Sequence, residues 1–327
     1  MIGALHTHRL ARFASFVLAL GCAAPASRAQ EAWPQKPVKF LVAFAPAGIA
    51  DPIGRFVGQA LSEKWGQSVI IENRGGGGGN IGAGLVARAD ADGYTVLVTT
   101  SSFTVNLSLY EKPGYALADF QTAAVAATSP NIVVAAPDLK YNTLPEVLAA
   151  AKTENFSFAS AGVGTTPHLS GEQLFRILGK VDVRHVPFTG AGPAIAALLG
   201  GHVPLAVVAL PAAIEHVKAG SIKGLALTTP ERRPDLPIVP TVAETGVGKL
   251  EAATVVAFFM PAKTPPAIVA KFNADLNSVI RSGALEKQFA AAGAQPMTLD
   301  QNEAHRFIET EIVKWAAVIK AANIKAE

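Results

Sequence analysis

From residue 38 onward, short runs of apolar and β-branched residues alternate with stretches in which apolar residues recur every three to four positions. The first run, VKFLVAF, is apolar almost throughout, as expected of a strand that is covered on both faces of a sheet. A helix is predicted to follow, with Asp51 as its N-cap, Pro52 at the first helical position and Gly66 at its end. This alternation is typical of βαβ units and predicts an α/β fold of mainly parallel sheets flanked by helices.

The same two patterns recur through the rest of the chain. Further strands are predicted at 68–72, 94–100, 131–136, 156–160, 183–188, 205–210, 222–228 and 251–260. Further helices are predicted to begin at Asn80, at Thr143 with a capping box to Glu146, near Thr166, near Gly190, after Pro211, near Pro266, near Gly283 and at Asp300.

The last three of these helices follow one another without an intervening strand, so they need a sheet built elsewhere in the chain to pack on. That requirement predicts a discontinuous domain. We expect one lobe formed by residues 30–130 plus 255–327 and a second lobe formed by residues 131–254. Two chain crossings between the lobes would then form a hinge.

Residues 1–29 have the features of a cleaved secretory signal: a weakly basic start, the apolar run FASFVLALGCAA and small residues before a cleavage point after Ala29. The apolar run is shorter than the roughly 20 residues that a membrane span requires. Lipidation at Cys22 is an alternative, although Leu20 stands where a lipidation signal has a small residue. We therefore expect export, and a periplasmic location if the source is Gram-negative.

Charge and cysteine content exclude several classes of protein. The net charge is +3, but Arg9, Arg12 and Arg28 all lie in the predicted signal, which has no acidic residue, so the rest of the chain is neutral. A neutral chain lacks the electrostatic footprint of nucleic-acid binding. Cys22 is the only cysteine, which excludes disulfide scaffolds, Cys-rich zinc modules, iron–sulfur clusters and a cysteine nucleophile.

A glycine run at Gly75–Gly79 follows a predicted strand and opens a helix. Gly77, Gly79 and Gly82 satisfy GxGxxG, the fingerprint of a dinucleotide-binding enzyme. That fingerprint also needs an acidic residue at the end of the next strand, where YTVLVTTSS offers only hydroxyl residues. A flexible turn is the favoured interpretation, and a nucleotide-dependent oxidoreductase is kept as the alternative.

Two other strand-to-helix loops are more informative. APAGIAD (45–51) and SAGVGTTPH (160–168) each place small residues ahead of a helix N-terminus, where free N–H groups and the helix dipole favour an anion. Neither loop contains Lys or Arg, so together they would hold a carboxylate through amides and hydroxyls. For either loop taken alone, an ordinary βα turn is the favoured interpretation.

His168 lies four residues before Glu172, a spacing that could place two metal ligands side by side on a helix. No third ligand is evident nearby, so a role in orienting the 160–168 loop is favoured and we expect no metal. GxSxG is absent, and no hydrolase triad can be assembled.

Five ordered motifs resemble the tripartite tricarboxylate transporter substrate-binding proteins, also called the Bug or TctC family. They are WPQKPVKFLVAFAPAGIADPIGR, ENRGGGGGNIGAGLVARADADGYTVLV, ASAGVGTTPHLSGEQLF, VPFTGAGPAIAALLGGHVPL and LALTTPERRPDLPIVPTVAETG. The resemblance covers essentially the whole mature chain. It implies a two-lobed, type II periplasmic-binding-protein clamshell that closes on a small carboxylated molecule and delivers it to membrane permease subunits.

The resemblance also implies that the two loops above hold the carboxylate and that the loops at 101–106 and 188–192 complete the pocket. The expected ligand-site residues are Ala47, Gly48, Ile49, Asp51, Ser101, Asn106, Gly162, Gly164, Thr165, Thr166, His168, Phe188 and Gly190. We expect a monomer with no cofactor and no catalytic residue. A sensor subunit that reports ligand occupancy to a signalling partner is the alternative for the same pocket.

The first loop departs from the family pattern. Ala47, Gly48 and Ile49 stand where the family commonly has two glycines and a hydroxyl residue, and Ala50 replaces another polar position. The segment TVVAFF (254–259) replaces one that usually carries an aromatic residue such as Trp. These differences predict a less polar acid as the ligand, with an aromatic or branched body.

Overall fold

The computed structural model describes residues 33–322 and 324–326. The predicted signal at 1–29, including Cys22, lies outside the described residues. Within the described ranges, no helix combines the length and apolar character that crossing a membrane requires.

The described residues form ten strands and ten α-helices, which alternate as far as β8. The strands are β1 (Val38–Val42), β2 (Val69–Asn73), β3 (Thr95–Thr100), β4 (Phe120–Ala135), β5 (Phe156–Ser160), β6 (Val183–Pro187), β7 (Leu205–Ala209), β8 (Lys223–Leu227), β9 (Ala253–Pro261) and β10 (Gln295–Pro296). The helices are α1 (Ala50–Trp65), α2 (Asn80–Ala87), α3 (Ser102–Leu109), α4 (Leu144–Ala150), α5 (Thr166–Glu172), α6 (Ala191–Leu199), α7 (Ile214–Lys218), α8 (Pro266–Arg281), α9 (Glu286–Ala291) and α10 (Gln301–Ala322). A π-helical segment, Gln173–Leu178, continues α5.

The strands form one hydrogen-bonded path in the order β2-β1-β3-β9-β4-β7-β5-β6, with β8 and β10 each paired to β4. The expected parallel pairing is found among β1, β2 and β3 at one end and among β5, β6 and β7 at the other. All pairs that involve β4 or β9 are antiparallel. The sheets are therefore mixed rather than mainly parallel, because the strand that leaves the first lobe and the strand that returns run in opposite directions.

The long strand β4 belongs to both sheets. Its residues 120–130 pair with β9, and its residues 131–135 pair with β7. The apolar run in the sequence predicts a strand only at 131–136, so β4 begins eleven residues earlier than predicted. This pairing is compatible with lobes that meet near residues 130 and 254, and those boundaries stay a prediction.

Alternating residues of β4 explain why its second half is apolar on both faces. Ile132 and Val134 pack into one buried cluster with α6 and α7, whereas Val133 and Ala135 pack into another with α4 and the π-helical segment. Side chains of a strand alternate between the two faces of its sheet, so a strand covered on both faces is apolar at every position.

The first lobe contains an aromatic core in which Phe103 of α3 stacks on Phe259 of β9, with 4.2 Å between ring centroids. Phe120 meets Phe103 edge-on at 5.1 Å, and Tyr115 stacks on Phe103 at 4.9 Å. This cluster fixes α3 against β9 and β4. Helix α3 was not predicted as a helix, although its first residues were assigned to the pocket.

Candidate functional site

Four helices begin beside one small cavity, which we call the inner cavity. Helices α1, α3, α5 and α6 each contribute residues from their first turn or from the two preceding positions. The cavity encloses about 30 Å³ and is lined by Phe44, Gly48, Ile49, Ala50, Thr100, Ala161, Thr165, Pro167, Ala191, Ala209 and Thr254. The first N–H groups of a helix have no partner within it, and its dipole places partial positive charge at that end. The inner cavity is thus suited to an anion.

Both loops singled out in the sequence reach this cavity. Gly48 and Ile49 come from the 45–51 loop, and Ala161 and Thr165 come from the 160–168 loop. No acidic, basic or histidine side chain is among the lining residues named above. An anion bound there would therefore be held by main-chain N–H groups or hydroxyls rather than by an ion pair.

A second, wider opening lies next to the glycine run, and we call it the outer cleft. It holds about 390 Å³ and is lined by Gly77, Gly78, Tyr110, Gly162, Val163, Pro187, Phe188 and Thr189. These residues come from the glycine run and α3 side of the predicted first lobe and from the β5 and β6 loops of the second.

The predicted lobes touch across the outer cleft through main-chain atoms. The Ala45 N–H donates to the Thr189 carbonyl at 3.2 Å. Gly78, with a φ of +61°, lies so close to the Val163 carbonyl that a Cβ atom built at Gly78 would collide with that oxygen. The glycine run therefore permits an approach that a side chain would prevent.

The 45–51 loop differs from the prediction at its helix start. Helix α1 begins at Ala50, so Ile49 holds the N-cap position and Asp51 is the second helical residue. The Asp51 carboxylate is turned to Arg55 Nε at 3.1 Å and Asn73 Nδ2 at 2.9 Å. The prediction that Asp51 is the N-cap is wrong, and Asp51 does not line the inner cavity. Ala47 is exposed, with a left-handed φ of 70°.

The 160–168 loop is tied to its own helix. Thr165 rather than Thr166 is the N-cap of α5, because its Oγ1 accepts from the His168 N–H at 3.3 Å. The Thr165 hydroxyl also donates to the Gly162 carbonyl at 2.7 Å. Gly164 has a φ of +80° and packs directly against the Asn106 side chain, where a Cβ atom would not fit.

Two histidines, His168 and His185, contact the 160–168 loop through hydrogen bonds. His168 Nδ1 accepts from the Gly164 N–H at 3.2 Å, and the His168 ring stacks on His185 with 4.0 Å between centroids. His185 Nε2 is 2.7 Å from Ser160 Oγ, which also accepts from the Gly162 N–H. His185 was missed in the sequence, because its partner in the stack is 17 positions away and in a different element.

Burial makes both rings difficult to protonate. Desolvation, and then the positive charge of Arg176, lower the pKa of His168 to about 4. Desolvation, and then the charges of His168 and Arg176, lower the pKa of His185 to about 3. At neutral pH the pair is therefore uncharged, and His168 can accept the Gly164 N–H.

A buried network of hydroxyl and amide groups joins α5 to β4 and β9. Thr166 Oγ1 lies 2.5 Å from Thr254 Oγ1, and the Thr254 hydroxyl donates to Asn131 Oδ1 at 2.8 Å. Asn131 Nδ2 donates in turn to Ser170 Oγ at 3.0 Å. The Thr166 hydroxyl thus faces Thr254 of β9, which in turn contacts Asn131 of β4.

The remaining predicted site residues lie around the cavities. Ser101 is the N-cap of α3, and its Oγ accepts from the Val255 N–H at 2.9 Å. Asn106 Nδ2 donates to the Gly78 carbonyl at 3.1 Å and thereby holds the glycine run. Phe188 lines the outer cleft, while Gly190 is the N-cap of α6.

Several lining residues lie outside the pocket loops predicted from the sequence. They are Phe44, Thr100, Ala209 and Thr254 in the inner cavity and Gly77, Gly78, Tyr110 and Pro187 in the outer cleft. The apolar members carry no local signal that separates a cavity wall from an ordinary core.

A third opening, a groove of about 710 Å³, lies on the other face of β9. Ala253 lines this groove, whereas the next residue of β9, Thr254, lines the inner cavity. Two cationic residues of the groove already form ion pairs, Arg232 with Glu244 at 2.9 Å and Arg233 with Asp235 at 2.9 Å. Its open, internally neutralised wall is a weaker candidate for a small anion than the four helix ends.

Metal ligation finds no support in the geometry around His168. Its Nε2 lies 3.9 Å from Glu172 Oε1, and Glu172 Oε2 is engaged by Arg176 Nε at 2.9 Å. Across the described residues, no group of three or more His, Cys, Asp or Glu side chains could hold a metal ion.

The fold and the two loops that meet at helix N-termini define a two-lobed α/β solute-binding protein. Residues 53–324 match the model of the tripartite tricarboxylate transporter family receptor, and the chain belongs to that family. It is 34% identical to the protein BugT of Bordetella pertussis (strain Tohama I) over 324 residues, 98% of each chain. The resemblance stated from the motifs is thereby confirmed.

Solved structures agree in fold. The R. palustris protein Rpa4515 with adipate superposes with a TM-score of 0.84 at 34% identity, over 90% of this chain and 99% of that one. MatC of Rhodopseudomonas palustris with bound malate superposes with a TM-score of 0.81 at 29% identity, over 88% and 99%. The predicted α/β, two-lobed periplasmic-binding-protein class is confirmed.

Proposed function

We propose that this chain is a periplasmic solute-binding protein that captures a small carboxylate-bearing molecule between its lobes and delivers it to a membrane transporter. The observation that carries the proposal is the convergence of four helix N-termini on a cavity lined by both predicted binding loops. Two relatives with superposable folds hold carboxylates, adipate and malate.

Binding requires the two loops to separate. A cavity of about 30 Å³ has room for one or two water molecules. A ligand of the size of malate must therefore enter while the lobes are apart. Closure by a hinge at β4 and β9 then brings the helix ends against the carboxylate.

The family's role as a receptor supports a protein without chemistry of its own. For the dinucleotide alternative, the Val163 carbonyl stands beside Gly78, in the space that a pyrophosphate would need on the glycine run. That contact favours a role for the run in lobe contact over cofactor binding.

The proposal is tested by thermal unfolding of residues 30–327 in the presence of mono-, di- and tricarboxylates. A ligand that binds only the folded state at 100 times its Kd adds about 2.7 kcal/mol to the free energy of unfolding. We expect at least one carboxylate to raise the Tm, and NAD to leave it unchanged. A raised Tm with NAD, and none with any acid, would overturn the proposal.

Location and partners need separate measurements. The mass of the protein isolated from the periplasm should correspond to a chain that begins at Gln30, whereas a lipidated form would begin at Cys22. Co-purification with permease subunits supports delivery to a transporter, and co-purification with a sensor kinase supports the signalling alternative. Size-exclusion chromatography with light scattering tests the expected monomer.

A further inference from the structure

The hydroxyl groups that line the inner cavity are engaged within the protein. Thr165 donates its proton to the Gly162 carbonyl, and Thr254 donates its proton to Asn131 Oδ1. Thr100 Oγ1 is paired with Ser102 Oγ at 3.1 Å. A threonine hydroxyl has a single proton to donate, so Thr165 and Thr254 have none left for a ligand.

Ile49 is a buried apolar residue in the wall of the inner cavity. It stands at the N-cap position of α1 with helical backbone angles, φ −67° and ψ −36°, and makes no side-chain capping bond. A capping residue has non-helical backbone angles, so the usual preference for Ser, Thr, Asp or Asn does not apply at Ile49. Ile49 is 3% exposed and lines the inner cavity, where its side chain contributes carbon and no donor.

The rest of the wall is of the same kind. Phe44, Ala161, Ala191 and Ala209 surround the cavity with carbon, and no lining residue carries a formal charge. Main-chain N–H groups at the helix ends can hold one carboxylate. A second carboxylate enclosed by this wall would lose its water without gaining a donor, which strongly opposes binding.

We propose that Ile49 and this apolar wall select acids with one carboxylate and a branched or aromatic body over dicarboxylates. The inference rests on the function proposed above. It distinguishes this chain from the relatives that hold adipate and malate, each of which carries two carboxylates.

The test compares acids of matched shape by calorimetric titration of residues 30–327. Hexanoate is paired with adipate, and benzoate with terephthalate. We expect the monocarboxylate of at least one pair to bind at least about tenfold more tightly than its partner, because a desolvated group without a partner is rejected by at least that factor. If adipate and terephthalate each bind at least as tightly as their monocarboxylate partners, the second carboxylate has found donors, for example in the outer cleft, and the inference is wrong.

Two variants assign the selection to Ile49. The side chains introduced by Ile49→Val and Ile49→Thr have nearly the same shape, but threonine carries a hydroxyl where valine carries a methyl group. We expect Ile49→Val to keep the preference and Ile49→Thr to reduce it at least about threefold, with thermal unfolding used to check that both variants are folded. Equal preferences in the two variants would remove Ile49 from the argument. Failure of every carboxylate to bind the parent protein would instead overturn the proposed function, and this inference with it.

Discussion

The stacked pair His168–His185 makes the stability of this protein depend on pH in a calculable way. The pKa of His168 is lowered from 6.5 to about 4 in the folded chain, because burial disfavours the charged ring. Between these two values the unfolded chain binds a proton that the folded chain does not. The free energy of unfolding therefore falls as the pH is lowered through this window and is constant above it.

The magnitude follows from the size of the shift. One pKa unit corresponds to about 1.4 kcal/mol, so His168 alone removes about 2 kcal/mol by pH 5 and about 3 kcal/mol by pH 4. Domains of this kind are typically stable by only about 5–15 kcal/mol. The loss is thus large enough to measure by urea denaturation at pH 7.5, 6, 5 and 4.

His168→Asn isolates this contribution, since the asparagine oxygen can still accept the Gly164 N–H. We expect the variant to lose about 3 kcal/mol less than the parent between pH 7.5 and pH 4. His305→Asn is the matched control, because that side chain is 54% exposed on α10 and should leave the pH dependence unchanged. A His168→Asn protein that loses stability as steeply as the parent would refute the reasoning.

Three further substitutions test the binding loops. Gly78→Ala should weaken carboxylate binding at least about tenfold, because the new Cβ would collide with the Val163 carbonyl of the predicted second lobe. Gly77→Ala, with a similar φ of +57° and no such neighbour, should leave binding unchanged. Equal effects of the two variants in titration would contradict a role of Gly78 in closure. Gly162→Val should abolish binding with the fold retained, because its Cβ would press on the Phe188 carbonyl at 3.2 Å. Binding that survives this change would place the site elsewhere. Gly246→Ala, in open space, is the control for the strain of a side chain at positive φ. Asp51→Ala should cost about 1 kcal/mol of unfolding free energy, since Arg55 and Asn73 each lose one acceptor but keep another, Asn73 Oδ1 and the Phe44 carbonyl respectively. A change below about 0.5 kcal/mol by denaturation would contradict that.

The sequence predicted best where one strong local signal acted alone. The apolar runs of β1, β5 and β7, and the capping box at Thr143 that starts α4, lie where they were expected. The first half of β4, FQTAAVAATSP, was missed because its apolar run, AAVAA, consists of alanines, which are depleted in strands, around a single valine. Helix α3, SFTVNLSL, is equally poor in strong helix formers and is held by the packing of Phe103.

The candidate site could be predicted only as far as its loops. Glycines, prolines and threonines before a helix are visible in the chain, and they indicated the 45–51 and 160–168 segments. The helix start was misplaced by two residues at Asp51, because the backbone is already helical at Ile49 and no polar capping side chain marks the start. Thr254 and His185 enter the site through contacts with residues far away in sequence, which composition and spacing do not reveal.

The shared strand β4 has a consequence for how this molecule comes apart. Its backbone is hydrogen-bonded into the first sheet over residues 120–130 and into the second over 131–135, without a linker between the two. Neither half can lose its ladder without exposing the end of the other, so heat should melt both in a single calorimetric peak rather than in two. The same continuity means that opening for a solute is a bend within intact strands, with an amplitude set by the elasticity of the ladder.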